Sequence, residues 1–430
     1  MKILNVNTNS KSEIRQALKR PLIKTEEMHS IVQPILQDIK IGGIDSALRY
    51  AKQYDGFDQT DVRVSEKEFS EAEKLVPQNV KTAIQAAKEN IEKFHLEQIP
   101  KSYSVETRPG VKCSREFRAI ENVGIYIPGG TAVLPSTVLM LGIPARIAGC
   151  KRVVAISPSK GGRIFPSVLY AAKLCGISEF YKIGGAQGIA LLAYGDEDFP
   201  KVDKIFGPGN QYVTAAKNLI SIDPEGAVVD MPAGPSEVLV IADEFANPKF
   251  VASDLLSQAE HGIDSQVVLF STSELLVTSV IEEINIQAKL LPRKEFISES
   301  LKNSPAVIVD TIDLAIELSN YYAPEHLILN VRNPDQYSIS IQNAGSVFLG
   351  EFTPESAGDY VSGTNHSLPT NGYAKVYGGV SVEAFMKGVT FQSISREGLK
   401  NISASIIDLA VEEGLNAHAN AVHVRLQNDR

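Results

Sequence analysis

Cysteine is scarce in this chain: the three present, Cys113, Cys150 and Cys175, stand far apart, form no CxxC pair and are odd in number. That excludes a disulfide framework or thiolate metal cluster and fits a reducing cytoplasm. Positive charge is in deficit, with 42 Lys and Arg against 51 Asp and Glu and a net charge of −9. No diffuse positive field draws such a chain to nucleic acid or anionic lipid, so a small molecule is the expected partner. Long hydrophobic runs are missing too. The run at 137–141 meets Pro144 and Arg146 well before the ~20 apolar residues of a membrane span. The opening MKILNVNTNSKSEIRQ lacks the apolar centre of a secretory signal, and the dinucleotide fingerprint GxGxxG does not occur. What is present is a globular balance, 43% apolar and 22% charged over 430 residues. This rules out disorder and, at about 150 residues per domain, implies two or three structural units.

Within 77–96, Val80, Ile84, Ala87, Ile91 and Phe94 recur at steps of four, three, four and three, which predicts an amphipathic helix. Beyond Asn122 come short β-rich runs, each followed by glycine and a helical pattern: VGIYIPGG, RVVAISPS, EFYKIGGAQ and VDKIFGPGN. A second series, EVLVIAD, QVVLFSTS, PAVIVD and HLILNV, repeats the alternation. Strands alternating with helices predict parallel sheets covered on both faces. The expected fold class is α/β, with two Rossmann-like parallel-sheet domains and small helical units at both ends. Residues 1–22 form an N-terminal extension, 23–122 and 237–378 one α/β domain, 123–236 a second inserted in it, and 379–430 a helical C-terminal unit. The helix before Asn122 has no strand series of its own and is expected to pack on the second sheet.

Ligands of open parallel sheets bind beyond the carboxyl ends of strands, where backbone amides and helix N-termini face outward. Three loops of the first series fit: Tyr126 with Pro128–Gly130, Gly184 and Gly185 with Gln187, and Gly207–Gly209 with Asn210. Glycines after strands are also ordinary helix entries. Five of the seven histidines, His261, His326, His366, His418 and His423, lie in the last 170 positions, which invites a metal or acid–base site. Phe250, Asp254, Gln258 and His261 fall on one stripe if NPKFVASDLLSQAEHG is helical, pointing two polar ligands together. The same spacing describes a solvated face ending in a histidine beside Gly262.

APEHL sets Glu325 beside His326 just before a strand. A carboxylate and an imidazole together supply a base and orient water, but neighbours on a strand face opposite ways, so only a loop lets both act. ESAGDYVSGTNHSLPTNG places Asp359 and His366 in a polar loop, where function and a plain Asx-turn with an exposed histidine compete. Glu413 and His418 follow in EEGLNAHANAVHVRL. His423, His29 and His95 read as solvated, and Cys150 as a packing residue.

Taken together, VGIYIPGGTAVLPSTVLML, GGAQGIALLAYG, GPGNQYV, AGPSEVLVIAD, LLSQAEHG, APEHL, AGDYVSGTNHSLPT and GLNAHANAV resemble the histidinol dehydrogenase family, from about position 20 to the C-terminus and in the same order. The resemblance implies a zinc- and NAD-dependent enzyme that oxidises L-histidinol through the aldehyde to L-histidine, with one Zn²⁺ per subunit. It implies Gln258, His261, Asp359 and His418 as zinc ligands and Glu325 and His326 as the catalytic pair. Ser236 and Glu413 would join those ligands and His326 as substrate contacts, with His366 lining the pocket. Tyr126, Gln187 and Asn210 would contact the nucleotide. It further implies a homodimer in which the C-terminal unit, with Glu413 and His418, completes the partner's site. The competing expectations are a zinc- and NAD-dependent oxidation of a different alcohol, a zinc hydrolase using Glu325 or metal-bound water, and a nucleotide-binding regulator without catalysis.

Overall fold

The computed structural model describes all residues except 22–24, 59–60, 130–132, 198, 200, 233 and 428–430. Its strands, in chain order, are β1 (Lys2–Asn5), β2 (Tyr103–Arg108), β3 (Val111–Ala119), β4 (Asn122–Tyr126), β5 (Arg152–Ile156), β6 (Glu179–Tyr181), β7 (Lys204–Phe206), β8 (Val228–Val229), β9 (Glu237–Ala242), β10 (Gln266–Ser271), β11 (Pro305–Ile308), β12 (His326–Asn330), β13 (Ser346–Leu349) and β14 (Met386–Ile394). One parallel sheet runs β6-β5-β4-β7-β8, and a second parallel sheet runs β1-β11-β10-β9-β12-β13. An antiparallel ribbon, β14-β3-β2, stands beside them.

Both strand series expected from the sequence are present, and their near-continuous apolar runs have the cause proposed for them. All six residues of β9 and of β10 are buried, because helices cover both faces of a parallel sheet. Along β9, Val238 and Val240 enter one core while Leu239 and Ile241 enter the other, the period-2 alternation of a strand between two layers.

Four features differ from the sequence reading. Residues 1–22 are not merely an extension, since β1 forms the edge of the second sheet, in register from Lys2↔Pro305 to Asn5↔Ile308. The helices Thr25–Asp55, Glu66–Leu75 and Gln78–Leu96 pack on the first sheet's layers, not the second's. Ile84, Ala87 and Ile91 share a core with Val123 and Leu139, and Val32, Leu36 and Ile39 share one with Ala190 and Ile205. An apolar stripe shows that a helix has a buried face but not which of two sheets receives it. The C-terminal unit is not wholly helical: β14 contributes nine residues, paired from Met386↔Ala119 to Ile394↔Val111, before helices Arg396–Glu412 and Asn416–Gln427. Almost all of β14 is exposed, so no burial pattern marks it in the sequence. Finally, His95 is fully buried rather than solvated. Its Nδ1 lies 2.8 Å from the Ile91 carbonyl, and its Nε2 lies 3.2 Å from the Asn365 amide. Among the described residues no helix is long and apolar enough to cross a membrane.

Candidate active site and metal centre

A cavity of about 960 Å³ opens between the two parallel sheets. One wall comes from loops at the carboxyl ends of β4 and β7, including Pro128, Pro208, Gly209 and Asn210. The other holds Ser236, Gln258, His261, Glu325, His326, Asp359 and His366. These lie at the amino ends of the second sheet's strands: Ser236 precedes β9, His261 precedes β10, and Glu325 precedes β12. The carboxyl-end rule of parallel sheets therefore locates only the first wall.

Gln258 occupies the last turn of helix Pro248–Ala259, and Glu260 caps that helix, so His261 projects from beyond its end. The His261 N–H donates to the Gln258 carbonyl at 3.2 Å. Asp359 sits on a short helix, Glu355–Tyr360, rather than in the loop expected from the sequence. That turn places Glu355 at i−4, on the same face. Candidate ligand atoms of His261, Glu355 and Asp359 all lie within 4.8 Å of one another. With its amide nitrogen towards the carboxylate, Gln258 donates to Glu355, at 3.2 Å for Oε2, and accepts from the Glu237 N–H at 3.1 Å. Imidazole, carboxylate and amide oxygen in one polar wall form a donor set suited to a zinc-like divalent cation.

Glu325 lies in the loop just before β12, and His326 is the strand's first residue. Both line the cavity, because the loop frees Glu325 from strand alternation. Glu325 accepts from the Glu237 N–H at 2.9 Å. His326 Nδ1 lies 3.1 Å from the Glu237 carbonyl, which can only accept, so Nδ1 carries the proton and Nε2 is the free basic nitrogen. Nε2 is buried without a hydrogen-bond partner and lies 3.5 Å from Asp359. Burial pushes Glu325 up to about 8. For His326 burial works downward, but Glu355, Glu325 and Asp359 outweigh it and push the ring up to about 10. Burial also raises Asp254 to about 7 and holds Glu355 well above the usual carboxylate range.

Of the three residues expected to contact the nucleotide, Asn210 lines the cavity and Tyr126 and Gln187 do not. Tyr126 ends β4 but is buried, its hydroxyl 3.4 Å from the Gly185 N–H. Gln187 is buried in helix Gly185–Tyr194 and donates to Asp55 at 2.8 Å. Asn210 caps helix Gln211–Ser221 and lines the cavity. His366 is half-buried on the cavity wall, not exposed. Glu413 and His418 are exposed and do not line this cavity within the chain. Cys150 is half-buried, and burial raises its thiol to about 11, as befits a packing residue. Sequence reasoning missed Glu355. Its signal was the Glu355–Asp359 spacing of four, which carries meaning only once the segment is recognised as helical.

Two parallel sheets facing one cavity, with a divalent-metal donor set opposite glycine-rich strand–helix loops, define an α/β enzyme with a candidate metal centre. A family model for histidinol dehydrogenase matches residues 18–426. Histidinol dehydrogenase of Bacteroides thetaiotaomicron is 52% identical over 418 residues, covering 97% of each chain. The histidine biosynthesis trifunctional protein of Saccharomyces cerevisiae is 47% identical over 427 residues, 98% of this chain and 53% of that protein. The crystal structure of histidinol dehydrogenase from Elizabethkingia anophelis superposes with a TM-score of 0.95 at 50% identity, covering 99% of this chain and 98% of that one. The chain belongs to the histidinol dehydrogenase family.

Proposed function

We propose that the protein oxidises L-histidinol to L-histidine through the aldehyde, in two NAD-dependent steps within the cytoplasm. The observation that carries this reading is the gathering of Ser236, Gln258, His261, Glu325, His326, Asp359 and His366 around one cavity. Gln258, His261 and Asp359 would hold one zinc ion per subunit, with Glu355 against them. Zinc bound there would supply Lewis acidity and an anchor for an imidazole and an amine. The remaining ligand, His418, would come from the partner in a homodimer, together with Glu413 as a substrate contact, since both are exposed outside this chain's own cavity. The nucleotide would lie along the opposite wall beside Asn210, with Tyr126 and Gln187 shaping its loops.

His326 lines the cavity, with its Nδ1–H tied to the Glu237 carbonyl. Both His326 and Glu325 hold protons in the metal-free site, and the charge of a bound zinc ion would oppose them; the neutral ring then takes the alcohol proton on Nε2 as hydride leaves the carbinol carbon for the nicotinamide. Three neighbouring carboxylates then stabilise the imidazolium electrostatically. For the second oxidation Glu325 withdraws a proton from water adding to the aldehyde, and the hydrate gives up its hydride to the second NAD. Water is consumed, two hydrides leave, and the alcohol carbon ends as a carboxylate.

The test is NADH stoichiometry with metal content on the same preparation. About two NADH per L-histidinol, abolished by a chelator, is the expected result. A hydrolase would yield none, and an enzyme for another alcohol would leave histidinol untouched.

A further inference from the structure

We infer that Arg20 is a positioning residue for the Glu325–His326 pair, acting through Glu237. The inference rests on the reading that this pair performs the proton transfers. Glu237 touches both members through its main chain, with its N–H on the Glu325 carboxylate at 2.9 Å and its carbonyl on His326 Nδ1 at 3.1 Å. A small displacement of this one residue would therefore misplace both groups.

The Glu237 side chain, 2% exposed, is locked from behind the cavity. Arg20 Nε donates to its Oε1 at 2.5 Å and Nη2 to its Oε2 at 2.7 Å, a bidentate pairing. The Asn371 N–H adds a third bond at 2.7 Å. The same guanidinium donates to the carbonyls of Tyr322 at 2.9 Å and Ala323 at 3.2 Å, and lies 3.9 Å above the Tyr322 ring. Arg20 thus ties down both anchors of the pair, the start of β9 and the turn leading into Glu325.

Backbone conformation supplies an independent observation. Among the described residues, Ala323 and Asn371 are the non-glycines at positive φ, each at 55°. Ala323 accepts from Arg20, and Asn371 donates to Glu237. Strained residues persist where surrounding contacts over-determine them, and such places gather at functional sites. Arg20 itself does not line the catalytic cavity but lines a separate one with Tyr322 and Asn371. Its effect on chemistry would therefore be indirect. Lysine cannot reproduce the planar two-pronged grip.

The experiment compares Arg20→Gln and Arg20→Lys with the parent as zinc-loaded full-length enzymes, reading kcat, KM for L-histidinol and zinc per subunit. Positioning predicts that Arg20→Gln lowers kcat roughly 10- to 100-fold, at near-parental KM and zinc content, with Arg20→Lys in between. A folded, zinc-replete Arg20→Gln enzyme with kcat within about twofold of the parent overturns the inference, as does a loss that follows zinc content. If Arg20→Gln does not fold, Arg20→Lys decides: reduced kcat at parental KM supports positioning, and parental kcat overturns it. A parent inactive on histidinol would defeat the functional reading. An active parent with equally active variants would defeat only this inference.

Discussion

Glu355 stands 3.9 Å from His326 Nδ1 while only 1% exposed. In the orientation described it accepts from the Gln258 amide, and only when ionised does it raise the proton affinity of the ring. Because burial holds Glu355 well above the usual carboxylate range, the near-isosteric Glu355→Gln should cost little stability in the metal-free protein. Glu355→Ala leaves Gln258 unpaired in the interior and should cost about 1 to 3 kcal/mol in urea unfolding. Equal stability of the two variants would contradict this role.

In the metal-free protein three buried groups should contribute less to stability as pH rises. Asp254 is raised to about 7, Glu325 to about 8 and His326 to about 10, so the native state holds protons that the unfolded chain has released. For His326 the stabilisation is full below its unfolded pKa of about 6.5 and disappears as pH passes its folded value. For the two acids, ionisation in the native state is opposed, so stability falls from about pH 4 upward. The Asp254→Asn variant should gain on its parent between about pH 4 and pH 7. A variant whose urea midpoint gains nothing on its parent over that range would refute the assignment.

If His261 is a ligand and His326 the base, as proposed, His261→Asn should remove most bound zinc, whereas His326→Asn should retain zinc and lose turnover. Metal analysis beside single-turnover kinetics separates the two. Comparable zinc loss in both variants would mean that His326 is itself a ligand.

Subunit mixing tests whether Glu413 and His418 serve the partner's site. Refolding His326→Asn and His418→Asn subunits together gives hybrid dimers in which one site carries both lesions and the other carries neither. Random mixing should restore roughly one quarter of parental turnover. If both residues act within their own chain, the mixture stays as inactive as its components.

The two parallel strand series were legible in the sequence because strands covered on both faces need unbroken apolar runs, as in EVLVIA and QVVLFS. The motifs at Gln258, His261, Glu325, His326 and Asp359 were legible as candidates because their polarity interrupts those patterns. What stayed hidden depends on long-range packing. The exposed β14 finds β3 some 270 positions earlier, as in Thr390↔Arg115, and no local pattern encodes that pairing. His95 looked solvated on a polar helix, yet Asn365 closes over it. Sequence by itself determined which strand segments had to be buried and which segments carried candidate ligands, since both follow from side-chain chemistry and local period. Tertiary structure alone decided that the helices before Asn122 serve the first sheet, that Glu355 joins His261 and Asp359, and that Arg20 reaches Glu237 across 217 positions. Those outcomes depend on the shape of surfaces that exist only after the chain has folded.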